Sequence, residues 1–298
     1  MINYSCIAKK RIQRIRKPLL LFILLISVCS CKIADLRTTN ISDASVPREP
    51  KAIELINTVI ENQGLDVLES SETYSYKAID HWKGIFSWGN PFPENKELMV
   101  LKFRPNSFDG QFHYPQKKNY KTYGLQSMNY YEINHEGTVN FKNNKKIQFA
   151  LPAIQYLFEL PLRLRNVPIL KYAGEQLFEG EKYDLVFATW NSVEPNKKYD
   201  QYLLYISKDG YLNFASYTVR ESSAITPKNI YGSIRYENRI QNADGIQYPS
   251  TLYIQLNALK ENTEWIRKLT ISDVQLNSFP ISDLYPNATI EFMGDSKN

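Results

Sequence analysis

His81, His113 and His135 are the three imidazoles of this 298-residue chain, and a metal or acid–base centre built on them would need them to converge. They stand in Asp-His-Trp, Phe-His-Tyr and Asn-His-Glu settings, none pairs at helical spacing, and no His-Glu-x-x-His occurs. They read as surface or lightly buried side chains, so no metal site and no cofactor is expected. Ser87 lies in Gly84-Ile-Phe-Ser-Trp-Gly89, the wrong spacing for a nucleophile elbow, which needs G-x-S-x-G between strand and helix. There is no phosphate-cradling glycine loop. Asp80, Glu132 and Asp184 are carboxylates that could work as an acid/base pair only at a defined separation, and nothing in the sequence supplies that separation. The expectation is no catalytic residue. Trp82 and Trp88, close together ahead of Pro91 and Pro93, read either as core packing beside a turn or as the rim of a ligand cavity.

The remaining nucleophiles are thiols, and all lie early: Cys6, Cys29 and Cys31. Ahead of them runs Lys9-Lys-Arg-Ile-Gln-Arg-Ile-Arg-Lys-Pro18, then the apolar stretch Leu19 to Val28. A membrane-crossing helix needs roughly 20 apolar residues, whereas the core of a secretory signal takes about 7–15; this stretch fits the second. Basic-before-apolar order keeps the leading end in the cytoplasm, and the lack of an Arg-Arg pair favours general secretion. Val28-Cys29-Ser30-Cys31 resembles the lipobox of bacterial lipoproteins, with a branched residue at −3, small residues next, then the cysteine. That resemblance implies cleavage before Cys31, a diacylglycerol thioether on its sulfur and a further acyl chain on its amine. Cys29 is the competing site, but Val28 would then sit where a small residue belongs.

Removing residues 1–30 changes the charge balance. The chain carries 36 Lys+Arg and 31 Asp+Glu, and the signal holds six of the bases and no acid. The mature chain therefore has 30 bases against 31 acids, which gives no case for nucleic-acid binding. One cysteine remains, so an exported chain that could form disulfides has none to form, and thiolate catalysis and cysteine-ligated metals drop out.

The body must position whatever function there is. Residues 31–49 are polar with little periodicity and read as a flexible tether, averaging roughly 23 Å end to end. Residues 50–298 read as a single domain. Ala52, Ile53, Leu55, Ile56, Val59 and Ile60 make one helical stripe, opened by Pro50 and closed by Gly64. Strand-like runs rich in Tyr, Phe, Val and Ile follow at 71–79, 83–88, 97–104, 109–114 and 127–133. Residues 147–160 return to helical period, with Pro152 in the first turn and Pro161 ending it. Seven further strands read at 171–179, 183–190, 201–207, 211–220, 230–240, 246–256 and 265–275, joined by turns such as Lys208-Asp-Gly210. Links so short imply antiparallel neighbours. Runs such as Tyr202-Leu-Leu-Tyr-Ile206 are apolar on both faces, so either helices cover the second face or tyrosines coat it with hydroxyls outward.

The helix ending in Gln63-Gly64, the mid-chain helical insert, the hairpin Glu179-Gly-Glu-Lys-Tyr-Asp-Leu185, the run Tyr202 to Tyr211 and Ala243-Asp-Gly-Ile-Gln-Tyr-Pro249 resemble outer-membrane lipoproteins of the LolA/LolB-like carrier and receptor fold. The resemblance spans about residues 50–285. It implies an α+β, mainly antiparallel chain: an open curved half-barrel of about 11–12 strands with helices on its concave side, enclosing a cavity that holds acyl chains in characterised members. The residues expected to line such a cavity are Trp88, Phe103, Ile154, Phe158, Trp190 and Tyr205. The function expected is a non-enzymatic, acyl-anchored lipoprotein of the outer membrane that takes a lipid or lipoprotein ligand. Lys32 and its successors lack the acidic run of some surface-export signals, which points to the periplasmic side. A structural subunit of an envelope complex and an unrecognised hydrolase are the alternatives.

Overall fold

The computed structural model describes residues 33–41, 46–220, 227–260 and 264–294. The expected signal 1–30 and the expected acylation site Cys31 lie outside them. Thirteen strands form one antiparallel sheet: β1 Tyr74–Trp82, β2 Leu98–Phe103, β3 Gly110–His113, β4 Thr122–Gln126, β5 Asn129–Ile133, β6 Val139–Lys142, β7 Ile169–Phe178, β8 Glu181–Thr189, β9 Gln201–Ser207, β10 Leu212–Thr218, β11 Tyr231–Gln241, β12 Gln247–Leu256 and β13 Arg267–Leu276. Their order is β6-β5-β4-β3-β2-β1-β13-β12-β11-β10-β9-β8-β7. Every neighbour is also a sequence neighbour except at β1–β13, where the two halves join. The sheet is curved and open, with β6 and β7 as its outermost strands; β7 is bridged in part by residues 47–49, through Arg48 opposite Leu170.

Four α-helices lie among the described residues: α1 Pro50–Asn62, α2 Leu65–Ser70, α3 Lys145–Phe158 and α4 Leu160–Arg165. The chain passes from edge strand β6 to edge strand β7 through α3 and α4, so those helices must cross one face of the sheet. The buried stripe Ala52, Ile56, Val59 and Ile60 of α1 joins α3, α4 and the inward side chains of the strands in one apolar core. At the end of α1, Gly64 has φ of +63°, and a Cβ there would sit 2.9 Å from the Gly245 carbonyl oxygen, so only glycine fits both the turn and the approach.

Three expectations need correction. Residues 83–88 are no strand: Gly84–Gly89 is a 3₁₀ turn, because Gly84 takes a positive φ and redirects the chain after β1. Two strands, β4 and β6, were not foreseen. The β4–β5 hairpin turns on Ser127 and Met128, both at positive φ, where Asn-Gly is the usual signal. Helix α3 begins at Lys145 rather than 147, capped by the Asn144 side chain accepting from the Ile147 N–H at 3.3 Å. Pro152 therefore sits mid-helix, with no N–H to donate one turn back.

The largest difference concerns the outer face. Residues 33–41, part of the expected tether, pack across β7–β10. Leu36 and Ile41 are buried with Ala173, Tyr183, Leu185, Phe187, Leu203, Tyr205 and Phe214 in a second apolar cluster. The strap is hydrogen-bonded along its length: Leu36 N–H to Gln201 Oε1 at 2.9 Å, Thr38 Oγ1 to the Ala173 carbonyl at 2.7 Å and Asn40 Nδ2 to the same carbonyl at 3.3 Å. Gly174, at φ +91°, leaves the space that Asn40 enters. The second face is thus covered neither by helices nor by a tyrosine coat alone, but partly by this segment.

Candidate functional site: an aromatic cavity beside helix α3

A cavity of about 440 Å³ opens between α3 and the ends of β8–β10. Its helix wall is Gln148, Phe149, Pro152, Ala153, Tyr156 and Leu157. Its sheet wall is Trp190, Tyr202, Tyr217, Thr218 and Val219, with Lys198, Tyr199 and Asp200 from the β8–β9 connection and Phe108 opposite. The wall is built by register: Tyr202 pairs with Tyr217 across β9–β10, and their rings stack at 6.3 Å. Trp190 meets the Tyr202 ring edge-on at 6.0 Å, and Tyr156 lies 5.8 Å from it. Burial pushes the Tyr202 and Tyr217 hydroxyls up in pKa, so these phenols stay neutral. The surface they present is a continuous aromatic one.

The polar groups at the rim are committed to structure. Asp200 Oδ1 accepts from Thr218 Oγ1 at 2.9 Å and from the Arg220 N–H at 2.8 Å, and its carbonyl accepts from Thr189 Oγ1 at 2.7 Å. Thr218 Oγ1 accepts from the Gln201 N–H at 2.9 Å. Lys198 lies 5.0 Å from the centre of the Tyr199 ring. The hydroxyl–carboxylate contact of this lining, Thr218 to Asp200, is held on both sides by backbone N–H groups, those of Gln201 and Arg220.

Of the six residues expected to line a cavity, Trp190 does so here. Ile154, Phe103 and Phe158 are core: Phe103 lies 5.5 Å from the Tyr74 ring, and Phe158 stacks on Tyr76 at 4.9 Å. Tyr205 is on the other face, paired with Leu185 and Phe214 under the strap. The reason is the two-residue strand period: Tyr202, Leu204 and Ile206 point to the helices, so Tyr205 cannot. Trp88 lies on the β1–β2 connection, outside this lining and 87% exposed. Phe108, Phe149, Tyr156, Tyr199, Tyr202 and Tyr217 were missed. The Lys208-Asp-Gly210 turn marks the hairpin of Tyr202 and Tyr217, but a bulge between Leu212 and Phe214 sets their pairing, and no sequence signal announced it.

The groups weighed for chemistry are dispersed and partnered. Asp80 accepts from Arg267 Nε at 2.7 Å and from Trp82 Nε1 at 3.0 Å. Glu132 accepts from Tyr130 OH at 2.9 Å and pairs with Lys142 at 3.0 Å. Asp184 accepts from Tyr172 OH at 2.9 Å and from Lys208 Nζ at 2.8 Å. His81 packs edge-on to Trp265 and His113 stacks on Tyr120, and burial lowers the pKa of each. His135 lies in the β5–β6 turn, 4.0 Å from Glu136. Among the described residues no three His, Cys, Asp or Glu side chains are grouped to hold a metal ion, and no helix is long and apolar enough to cross a membrane.

No family model matches the sequence, and no curated protein matches it. Among solved structures the chain is similar to a domain from Vibrio parahaemolyticus classed as an outer membrane lipoprotein-sorting protein, at 12% identity, covering 78% of this chain and 97% of that one with a TM-score of 0.47. It is similar to a LolA superfamily protein from Nitrosomonas europaea at 10% identity, covering 77% and 94% with a TM-score of 0.45. A DUF1329 family protein from Desulfovibrio piger matches at 8% identity over 81% and 98%, TM-score 0.43. LolA superfamily proteins are thus among the structures this chain resembles. Likeness at these values describes shape, and shape carries no activity across.

Proposed function

We propose that this chain is an acyl-anchored lipoprotein of the cell envelope, held through Cys31 at the periplasmic face of the outer membrane, that binds a hydrophobic or lipidated ligand without chemistry. The cavity beside α3 carries the reading. Its volume lies in the range of small-molecule sites, about 300–1,000 Å³, and its lining is aromatic and aliphatic with a few polar rim groups. Transferring an acyl chain from water into such a lining is favourable by about 0.8 kcal/mol per CH₂, so affinity needs no dedicated polar contact. The dispersal and pairing of Asp80, Glu132 and Asp184 support a binding role over a hydrolytic one.

Native mass spectrometry of the protein purified from membranes tests this directly. Wild type is expected to carry one extra lipid mass. Ala153→Trp, which fills the cavity from its helix wall, is expected to lose it. Identical spectra for the two proteins would remove the cavity as the binding site. The anchor is tested separately: Cys31→Ala should abolish fatty-acid probe labelling, and undiminished labelling would exclude Cys31.

A further inference from the structure

The 3₁₀ turn Gly84–Gly89 presents Ile85, 73% exposed, and Trp88, 87% exposed, side by side on the β1–β2 connection. Exposed Lys83 precedes them. On the adjoining β3–β4 connection are Tyr120, 44% exposed, and the exposed Lys117, Lys118 and Lys121. The two connections touch, since the Glu94 N–H donates to Tyr114 OH at 3.2 Å and Lys117 pairs with Glu94 at 3.2 Å. An exposed Trp and Tyr flanked by lysines is the composition of a membrane–water interface. Of the acids on this edge, Glu94 and Glu264 pair with lysines, Glu194 pairs with Arg37, and Asp200 accepts from Thr218 Oγ1 and the Arg220 N–H. Glu97 and Glu136 lie there too, and Lys121 pairs with Glu132 at 3.3 Å.

The position of the chain's leading end argues for the same occupant. Antiparallel order puts the β1–β2, β3–β4, β5–β6, β8–β9, β10–β11 and β12–β13 connections on one edge of the sheet. Contacts run along that edge: Lys83 N–H donates to the Ile266 carbonyl, Asn257 N–H to the Tyr231 carbonyl, and Ala34 N–H to the Lys228 carbonyl at 2.8 Å. Arg220 Nη2 donates to the Ala34 carbonyl at 3.0 Å. Three strand spacings separate β1 from β11, roughly 15 Å. The first described residues of the strap therefore lie on the edge that carries Trp88.

We infer that this edge docks on a lipid bilayer, with Ile85 and Trp88 entering the interfacial layer and Lys83, Lys118 and Lys121 facing anionic headgroups. The inference leans on the Cys31 anchor but not on the cavity's contents. Docking in this pose also brings Trp190, Lys198 and Tyr199, which belong to both the edge and the cavity lining, toward the membrane.

The test uses the full-length chain reconstituted in phosphatidylethanolamine–phosphatidylglycerol vesicles doped with acyl-brominated phosphatidylcholine. Subtracting the spectrum of Trp88→Phe isolates the Trp88 emission. That emission is expected to fall by more than half in brominated vesicles. Leu177→Trp in the Trp88→Phe background, a 67% exposed site on the opposite edge, is expected to keep its emission. Unquenched Trp88, or equal quenching at position 177, overturns the inference, as does crosslinking of a Trp88→Cys variant to an envelope protein in place of lipid. Fatty-acid labelling of the same preparations separates the readings: labelled Cys31 with unquenched Trp88 rejects docking alone, and quenched Trp88 without labelling rejects the anchor alone.

Discussion

Asp80 is 1% exposed and ion-paired with Arg267, itself buried, whose guanidinium also lies 5.1 Å from the Trp82 ring centre. Removing one partner of such a pair leaves a buried charge without compensation and costs about 3–5 kcal/mol, while an apolar pair of similar volume is often neutral. Arg267→Met is therefore expected to lower unfolding stability by about that amount, and Asp80→Leu/Arg267→Met to recover most of it, as read by urea denaturation. Asp184 supplies a pH signature. Burial pushes its carboxyl up, but the Lys208 and Tyr172 donors and the Lys51 charge outweigh burial and hold it below the usual value, near 3.9 for aspartate. A depressed carboxylate contributes stability above its unfolded pKa and loses it as pH falls through the folded one. Asp184→Asn should thus be less stable than wild type at pH 6 and converge with it below about pH 4, measured by thermal unfolding across that range. These partners were not legible in the sequence: Asp80 and Arg267 are 187 positions apart, and only the β1–β13 pairing brings them together.

At the scale of elements, α3 and the β4–β5 hairpin show where local signals sufficed and where they misled. The apolar spacing of Ile147, Ala150, Ile154 and Leu157 marks a helix, and it is one. Its start was misplaced because Asn144, an N-cap of ordinary type, precedes two lysines rather than the apolar run. Asn144→Ala is expected to cost about 1 kcal/mol and to loosen the wall of the cavity, which hydrogen exchange of residues 145–153 would register. Met128 holds φ of +64° in the hairpin, a conformation costing roughly 1–2 kcal/mol for a residue with a Cβ. Met128→Gly is expected to raise stability by about 1 kcal/mol, observed as a higher unfolding midpoint; no gain would mean the surrounding contacts absorb the strain.

At the scale of the molecule, the strap 33–41 closes an outer cluster that the sheet alone would leave open. Leu36→Ala should cost about 2–5 kcal/mol, as for other buried leucines, and expose Phe187, Tyr205 and Phe214 enough to raise dye binding to apolar surface. A cost near zero would show that the strap contributes no packing energy. Strand period and turn chemistry made the antiparallel meander, its seven-strand second half and the helical insert readable, because those depend on neighbours a few residues apart. Charge balance, cysteine supply and the Leu19–Val28 stretch were likewise properties of composition and order. Which tyrosines share a cavity, which face the strap covers and which carboxylates are neutralised depended on how a 13-stranded sheet curves and closes its faces. Those contacts join residues as far as 187 positions apart, and no local pattern encodes a partner at that distance.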